Sequence, residues 1–124
     1  MSSLYAQRLA QLVKEAGIPA GVVNIVTGEG TSAGQALSDH MEVRKVAFTG
    51  SAVAGRKILQ AASRTNLKKV SSELGGKGPS IVFDDCNLEN ALLWARMGIA
   101  THNGQICAAG SRIHVQEPIY ARFV

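Results

Sequence analysis

Aromatic side chains are scarce in this chain: three Phe, two Tyr and one Trp in 124 residues. A protein that stacks nucleobases needs aromatic platforms interleaved with basic residues. Here the basic residues come only as scattered pairs, Arg44–Lys45, Arg56–Lys57 and Lys68–Lys69. The net charge of +4, from 13 Lys and Arg against 9 Asp and Glu, is spread rather than concentrated, so no nucleic-acid partner is expected. Long hydrophobic runs are also missing. No stretch reaches the roughly 18 consecutive apolar residues of a membrane span, so no membrane partner is expected. The opening "MSSLYAQRLAQLV" has neither the basic leader nor the apolar core of a secretory signal. Cysteine is limited to Cys86 and Cys107, with no Cys or His at ligand spacing beside them. That excludes a disulfide framework and predicts no metal site. The expected setting is reducing and cytoplasmic, or mitochondrial if the natural N-terminus lies elsewhere.

What is present is an ordinary globular mixture, 46% apolar and 18% charged. "LYAQRLAQLVKEAG" puts Leu4, Tyr5, Leu9, Leu12, Val13 and Ala16 on one side of a helix that Gly17 and Pro19 stop. "GVVNIVTG" reads as a short buried strand closed by Gly28, and "TSAGQALSDH" as a short helix capped by Thr31 or Ser32. "VRKVAFTG" is a strand, "SAVAGRKILQAASR" a helix entered directly from it, and "LKKVSSEL" a further strand broken by Gly75 and Gly76. Beyond them come strand "PSIVFDD", helix "NLENALLWARMGIATH" with Asn87 as cap, and strand "SRIHVQE". Alternating strands and helices predict an α/β fold with a mostly parallel sheet. A change of rhythm places a domain boundary at residues 74 to 78. Two partial domains in this length cannot each own a full core, and "YARFV" runs to the last residue without a terminating turn, so a piece of a larger protein is expected.

Four stretches bear on chemistry. In "FTGSAVAG", a strand leads through Gly50 into a helix that begins near Ser51. Free N–H groups at such a helix start suit a pyrophosphate, and they equally suit a simple Ser cap with Gly55 for packing. This is neither a dinucleotide G-x-G-x-x-G nor a Walker A pattern. "TGEGTSAG" offers Gly28, Gly30 and Gly34, either as a strand–helix turn or as a wall beside a cofactor. In "SSELGGKGP", Glu73 ends a strand, and side chains there face the crevice at the carboxyl edge of a sheet. It can act as a general base or be a carboxylate paired with Lys77. In "HNGQICAAGSR", Cys107 sits among small residues that leave room for a substrate, where a filler cysteine needs none. A backbone N–H at 107 or 108 can face a developing oxyanion. His102 and His114 compete with Glu73 as the base, and Cys86 reads as packing.

Taken together and in this order, "VAFTGSAVAG", "ELGGKGPSIVFDD" and "NGQICAAGSR" resemble the NAD(P)-dependent aldehyde dehydrogenase family. The likeness includes "KEAGIPAGVVNIVTG" near the start. The resemblance implies a partial aldehyde dehydrogenase fold: residues 1–74 would be the C-terminal part of a Rossmann-like NAD(P)-binding domain, and 75–124 the N-terminal part of the catalytic domain. It implies NAD, or NADP, as cofactor, an aldehyde substrate, and a homodimeric or homotetrameric parent. By the matching motif positions, Cys107 is the nucleophile that forms a thiohemiacetal and then a thioester, and Glu73 activates the water that hydrolyses it. Gly50, Ser51 and Gly55 match the residues bordering the cofactor pyrophosphate, and Leu74 the residue that meets the nicotinamide through its backbone.

Some positions depart from the family pattern. Ser72 stands where an apolar residue is usual, Gly78 where Ser is, and Ala52 where Thr is common; His102 and Asn103 replace an Asn-x pair. The family's oxyanion-donating asparagine and its ribose-binding lysine and glutamate correspond to positions before Met1, and its oligomerisation strand to positions after Val124. Two rival readings stand beside this one. The first is a truncated, non-catalytic relative that only binds a nucleotide or a partner. The second is a relative forming acyl-CoA or using semialdehydes, in which Glu73 would be less necessary.

Overall fold

The computed structural model describes residues 3–124. Helix α1, Ser3–Glu15, is followed by an irregular stretch, a single π-type turn at Gly30–Gly34 and a short helix α2, Gln35–Asp39. Strand β1, Lys45–Gly50, leads into helix α3, Ala52–Arg64, and strand β2, Lys69–Leu74. Strand β3, Pro79–Val82, helix α4, Leu88–Ala100, strand β4, Arg112–Val115, and helix α5, Glu117–Phe123, complete the order.

Strands β1 and β2 form one two-stranded sheet, β3 and β4 another. The second pair is parallel, with Pro79 opposite Arg112 and Val82 opposite Val115, and α4 supplies the crossover. A parallel pair needs such a connection, so the strand–helix–strand rhythm of the sequence becomes this topology directly. The α/β fold class and the parallel pairing agree with expectation.

Two expected elements do not form as read. Residues 21–28 are irregular, with Val22 and Val26 exposed. A strand exists only when a neighbour takes up its backbone hydrogen bonds, and among the described residues no strand lies alongside this segment. Thr31 and Ser32 are not caps: both lie inside the π-type turn, and the Ser32 hydroxyl donates to the carbonyl of Glu29, 3.3 Å away.

The chain divides into two compact units. One takes in the chain up to Val46 together with Ile58–Val70; the other is Ala47–Lys57 with Ser71–Val124. The first is held by polar latches more than by apolar burial. Arg64 donates to Asp39 at 2.8 Å, Gln35 donates to the same carboxylate at 2.6 Å, and Asn66 donates to the carbonyls of Met41 and Val43. Lys68 is buried, its ammonium satisfied by the Ser38 carbonyl and the Thr65 hydroxyl. Such pairing is what makes burial of a charged head tolerable. Ala61 and Ala62 are the buried apolar side chains here. Helix α1 forms, yet Leu4 and Tyr5 on its apolar side remain 79% and 78% exposed.

In the second unit Val82, Ala109 and Ile119 are buried. The Asn87 side chain accepts from the Asn90 N–H at 3.0 Å, so the cap expected for α4 is present. One stripe of α4, Leu88, Ala91, Ala95 and Gly98, is partly covered, whereas Leu92, Leu93, Trp94 and Met97 face outward.

Candidate active site

The site lies wholly in the second unit. β1 alternates, with Val46, Phe48 and Gly50 on its half-buried side. A Cβ on Gly50 would sit 2.5 Å from the Phe48 ring, so a larger residue where the strand turns into α3 would require that ring to move. Ser51 then caps α3: its hydroxyl accepts from the Ala54 N–H at 3.3 Å and its carbonyl from Gly55 at 2.9 Å. The cap reading of this motif is therefore realised. It does not exclude the anion reading, because the remaining N–H groups of the first turn still lack helical partners.

Glu73 stands near the carboxyl end of β2 and is exposed. Among the described residues the ion pairs are Arg8–Glu15 and Arg64–Asp39, so Glu73 is not paired with Lys77. Its carboxylate faces solvent-accessible space, as a group that must reach a water requires.

Cys107 follows an unusual backbone. α4 ends at Ala100 and is followed by Thr101, whose hydroxyl donates to the Met97 carbonyl at 2.6 Å. His102, Asn103 and Gly104 are then left-handed in succession, with φ of 49°, 56° and 71°. Side chains with a Cβ rarely adopt that region; Asn and His are among the more tolerant. The Gln105 N–H returns to the His102 carbonyl at 3.0 Å, and the Ala109 N–H to the Ile106 carbonyl at 3.0 Å. Cys107 thus sits in a tight turn, exposed and free, not packed as filler. Cys86 is half-buried and borders an apolar hollow with Trp94.

One open cleft of about 320 Å³ gathers these parts. Thr49, Gly50 and Ser51 line it from the end of β1, Glu73, Gly75 and Gly76 from the end of β2, and Gly104 to Cys107 from the left-handed turn. Glu73 and Cys107, separated in sequence by β3 and α4, therefore border the same space. So do Gly50 and Ser51. Gly55 and Leu74 do not line it: they meet each other instead, a Cβ on Gly55 falling 2.9 Å from Leu74 Cδ2. Gly55 thus lets α3 lie close on β2. Of the histidines, His102 lines a separate cleft with Asn103, Gln105 and Ile106, and His114 lies on β4. Thr49 and Gly104 belong to quoted motifs, but their place in the wall was not legible from spacing. Among the described residues no cluster of metal-ligating side chains occurs.

Comparison with known proteins follows this geometry. The Aldehyde dehydrogenase family model matches residues 1–124. Aldehyde dehydrogenases of Emericella nidulans and Aspergillus niger are 60% and 59% identical over 124 residues, which is 100% of this chain and 24% of each relative. The crystal structure of PnpE in complex with nicotinamide adenine dinucleotide superposes with a TM-score of 0.90 at 46% identity, over 99% of this chain and 25% of that one. The chain thus spans about a quarter of the length of the relatives it matches. Its whole length, and the order in which its strands and glycine turns build one cleft, place it in the aldehyde dehydrogenase family.

Proposed function

We propose that this chain is a segment of an NAD(P)-dependent aldehyde dehydrogenase and carries its nucleophile, Cys107, and its general base, Glu73. Residues 1–74 would belong to the cofactor-binding domain and 75–124 to the catalytic domain of a cytoplasmic or mitochondrial enzyme that assembles as a homodimer or homotetramer. The observation that carries the reading is the shared cleft: Cys107, Glu73, Gly50 and Ser51 border one space although they come from three separate stretches of chain.

The residues present fit a dinucleotide. No atoms crowd the positions where Cβ atoms of Gly75 and Gly76 would lie, which leaves room along that wall of the cleft. Gly50, Ser51 and the first turn of α3 would hold the pyrophosphate, with Leu74 near the nicotinamide end. When bound, the nicotinamide supplies the hydride acceptor.

The chain's own groups do the rest. The Cys107 thiolate adds to the aldehyde carbon, forming a C–S bond and an alkoxide, toward which backbone N–H groups of the turn can donate. With that acceptor bound, the alkoxide would give up its hydride to it, and the carbonyl left on Sγ would be a thioester. Glu73 then takes a proton from a water that attacks this carbonyl, and the carboxylic acid leaves as the thiolate re-forms.

Pre-steady-state kinetics of the complete enzyme test this assignment. With Glu73→Gln, a burst of reduced cofactor should persist while steady turnover falls by about 10²- to 10⁴-fold. Loss of the burst together with turnover would remove Glu73 from the hydrolytic step.

A further inference from the structure

Cys107 lies in a loop that stands on α4 with both of its feet. Before the cysteine, Gly104 is left-handed at φ 71°, and a Cβ on it would lie 3.2 Å from the Ile99 carbonyl oxygen. After the cysteine, the Gly110 N–H donates to the Gly98 carbonyl at 3.1 Å. Gly98 and Ile99 belong to the last turn of α4, where carbonyls run out of helical donors, so the loop completes the helix end that supports it. Between the feet, the Ala109 N–H returns to the Ile106 carbonyl at 3.0 Å, closing a turn around Cys107 and Ala108, and Ala109 is buried. Gly110 also lies against β3: a Cβ there would run into the Ser80 hydroxyl oxygen, with the Ser80 Cβ 3.7 Å away. The backbone thus threads between α4 and β3, where an added methyl requires either Ser80 or the loop to move.

From this threading we infer that Gly110 is a positioning residue for the nucleophile: its lack of a side chain lets the loop close on α4 and β3, and that closure sets where the Cys107 sulfur stands in the cleft. This rests on Cys107 being the nucleophile. The link is mechanical. Gly110 directly follows buried Ala109, and the turn from Ile106 to Ala109 carries a displacement of Gly110 back to Cys107. Attack on an aldehyde carbon depends steeply on the placement of the attacking atom. Gly50 and Ser51, at the cofactor end of the cleft, come from β1 and the start of α3 and not from this loop.

The test compares Gly110→Ala, Ser80→Ala and the double variant in the complete enzyme, by stopped-flow measurement of reduced cofactor. Gly110 has no positive φ, so alanine brings a methyl without backbone strain. In Gly110→Ala the burst rate constant should fall about tenfold, as a shift of about half an ångström would give where a full one costs about 10²-fold. KM for the cofactor should stay near its wild-type value. Ser80→Ala should burst as wild type does. In the double variant the burst should recover, because loss of the hydroxyl leaves the new methyl in ordinary contact with a Cβ. A wild-type burst in Gly110→Ala, or a slowing matched by an equal rise in cofactor KM, would overturn the inference. So would a double variant that folds with a slow burst, even where Gly110→Ala alone does not fold. A burst that persists in Cys107→Ala would instead overturn the nucleophile assignment.

Discussion

Cys107 and Glu73 differ in what their surroundings do for them. The cysteine is fixed by backbone: three left-handed residues reverse the chain after α4, and two turn hydrogen bonds place the sulfur at a corner open to the cleft. The carboxylate is fixed by its strand alone and carries no ion pair. Cys107→Ala in the complete enzyme should therefore remove aldehyde oxidation, including the burst, with little effect on thermal stability, because an exposed side chain contributes little burial. Cofactor release measured by stopped flow, beside a thermal melt, checks both halves. Gly55 is the converse case. Its Cβ would press on Leu74 at 2.9 Å, so Gly55→Val should lower stability by about 2 kcal/mol through overpacking, visible as a reduced thermal midpoint. Gly55→Ala should be milder, since the tip of Leu74 can yield and alanine favours the helix.

The caps and latches belong to the element scale. Asn87→Ala removes the acceptor for the Asn90 N–H at the start of α4 and should cost about 1 kcal/mol, whereas Asn87→Asp should be nearly neutral; chemical denaturation of the complete protein distinguishes them. The latch between α2 and α3 sets a pH dependence. Hydrogen bonds from Gln35 and then Arg64 hold the Asp39 carboxyl below its ordinary value of 3.8. A depressed folded value means that this contribution is fully present above pH 3.8 and is lost as pH falls through the lower folded value. Melting curves of Asp39→Asn and wild type in the complete protein should differ above pH 3.8 and converge once the pH is below the lowered folded value. Asn87 was legible from sequence because an N-cap is a matter of one side chain and the next turn. The Arg64–Asp39 latch was not, since it joins residues from two helices whose approach no local pattern specifies.

At the scale of the whole chain, the buried apolar side chains among the described residues are few and small: Ala61, Ala62, Val82, Ala109 and Ile119. Trp94, Phe83 and Ile81 are each more than half exposed, and α1 has no buried residue. Burial on this scale falls short of what offsets chain entropy. The 124 residues expressed alone should accordingly unfold without a cooperative transition, bind a hydrophobic dye and oxidise no aldehyde. Circular dichroism through a thermal scan and an NAD-dependent assay would measure this; a sharp transition with activity would contradict it.

Sequence alone determined the helices that cap themselves, the strands with a two-residue alternation, the α/β class and the motif order that carries the family resemblance. All of these are local, resolved within one or two turns of chain. Only tertiary structure decided the rest. Residues 21–28 stay irregular because no strand among the described residues bonds to them. Gly55 serves helix–strand packing because Leu74 lies against it. Glu73 and Cys107 meet at one cleft because α4 crosses over between two parallel strands and the left-handed turn sends the chain back. Backbone pairing and side-chain approach across such separations depend on how whole elements dock, and no stretch of sequence records that docking by itself.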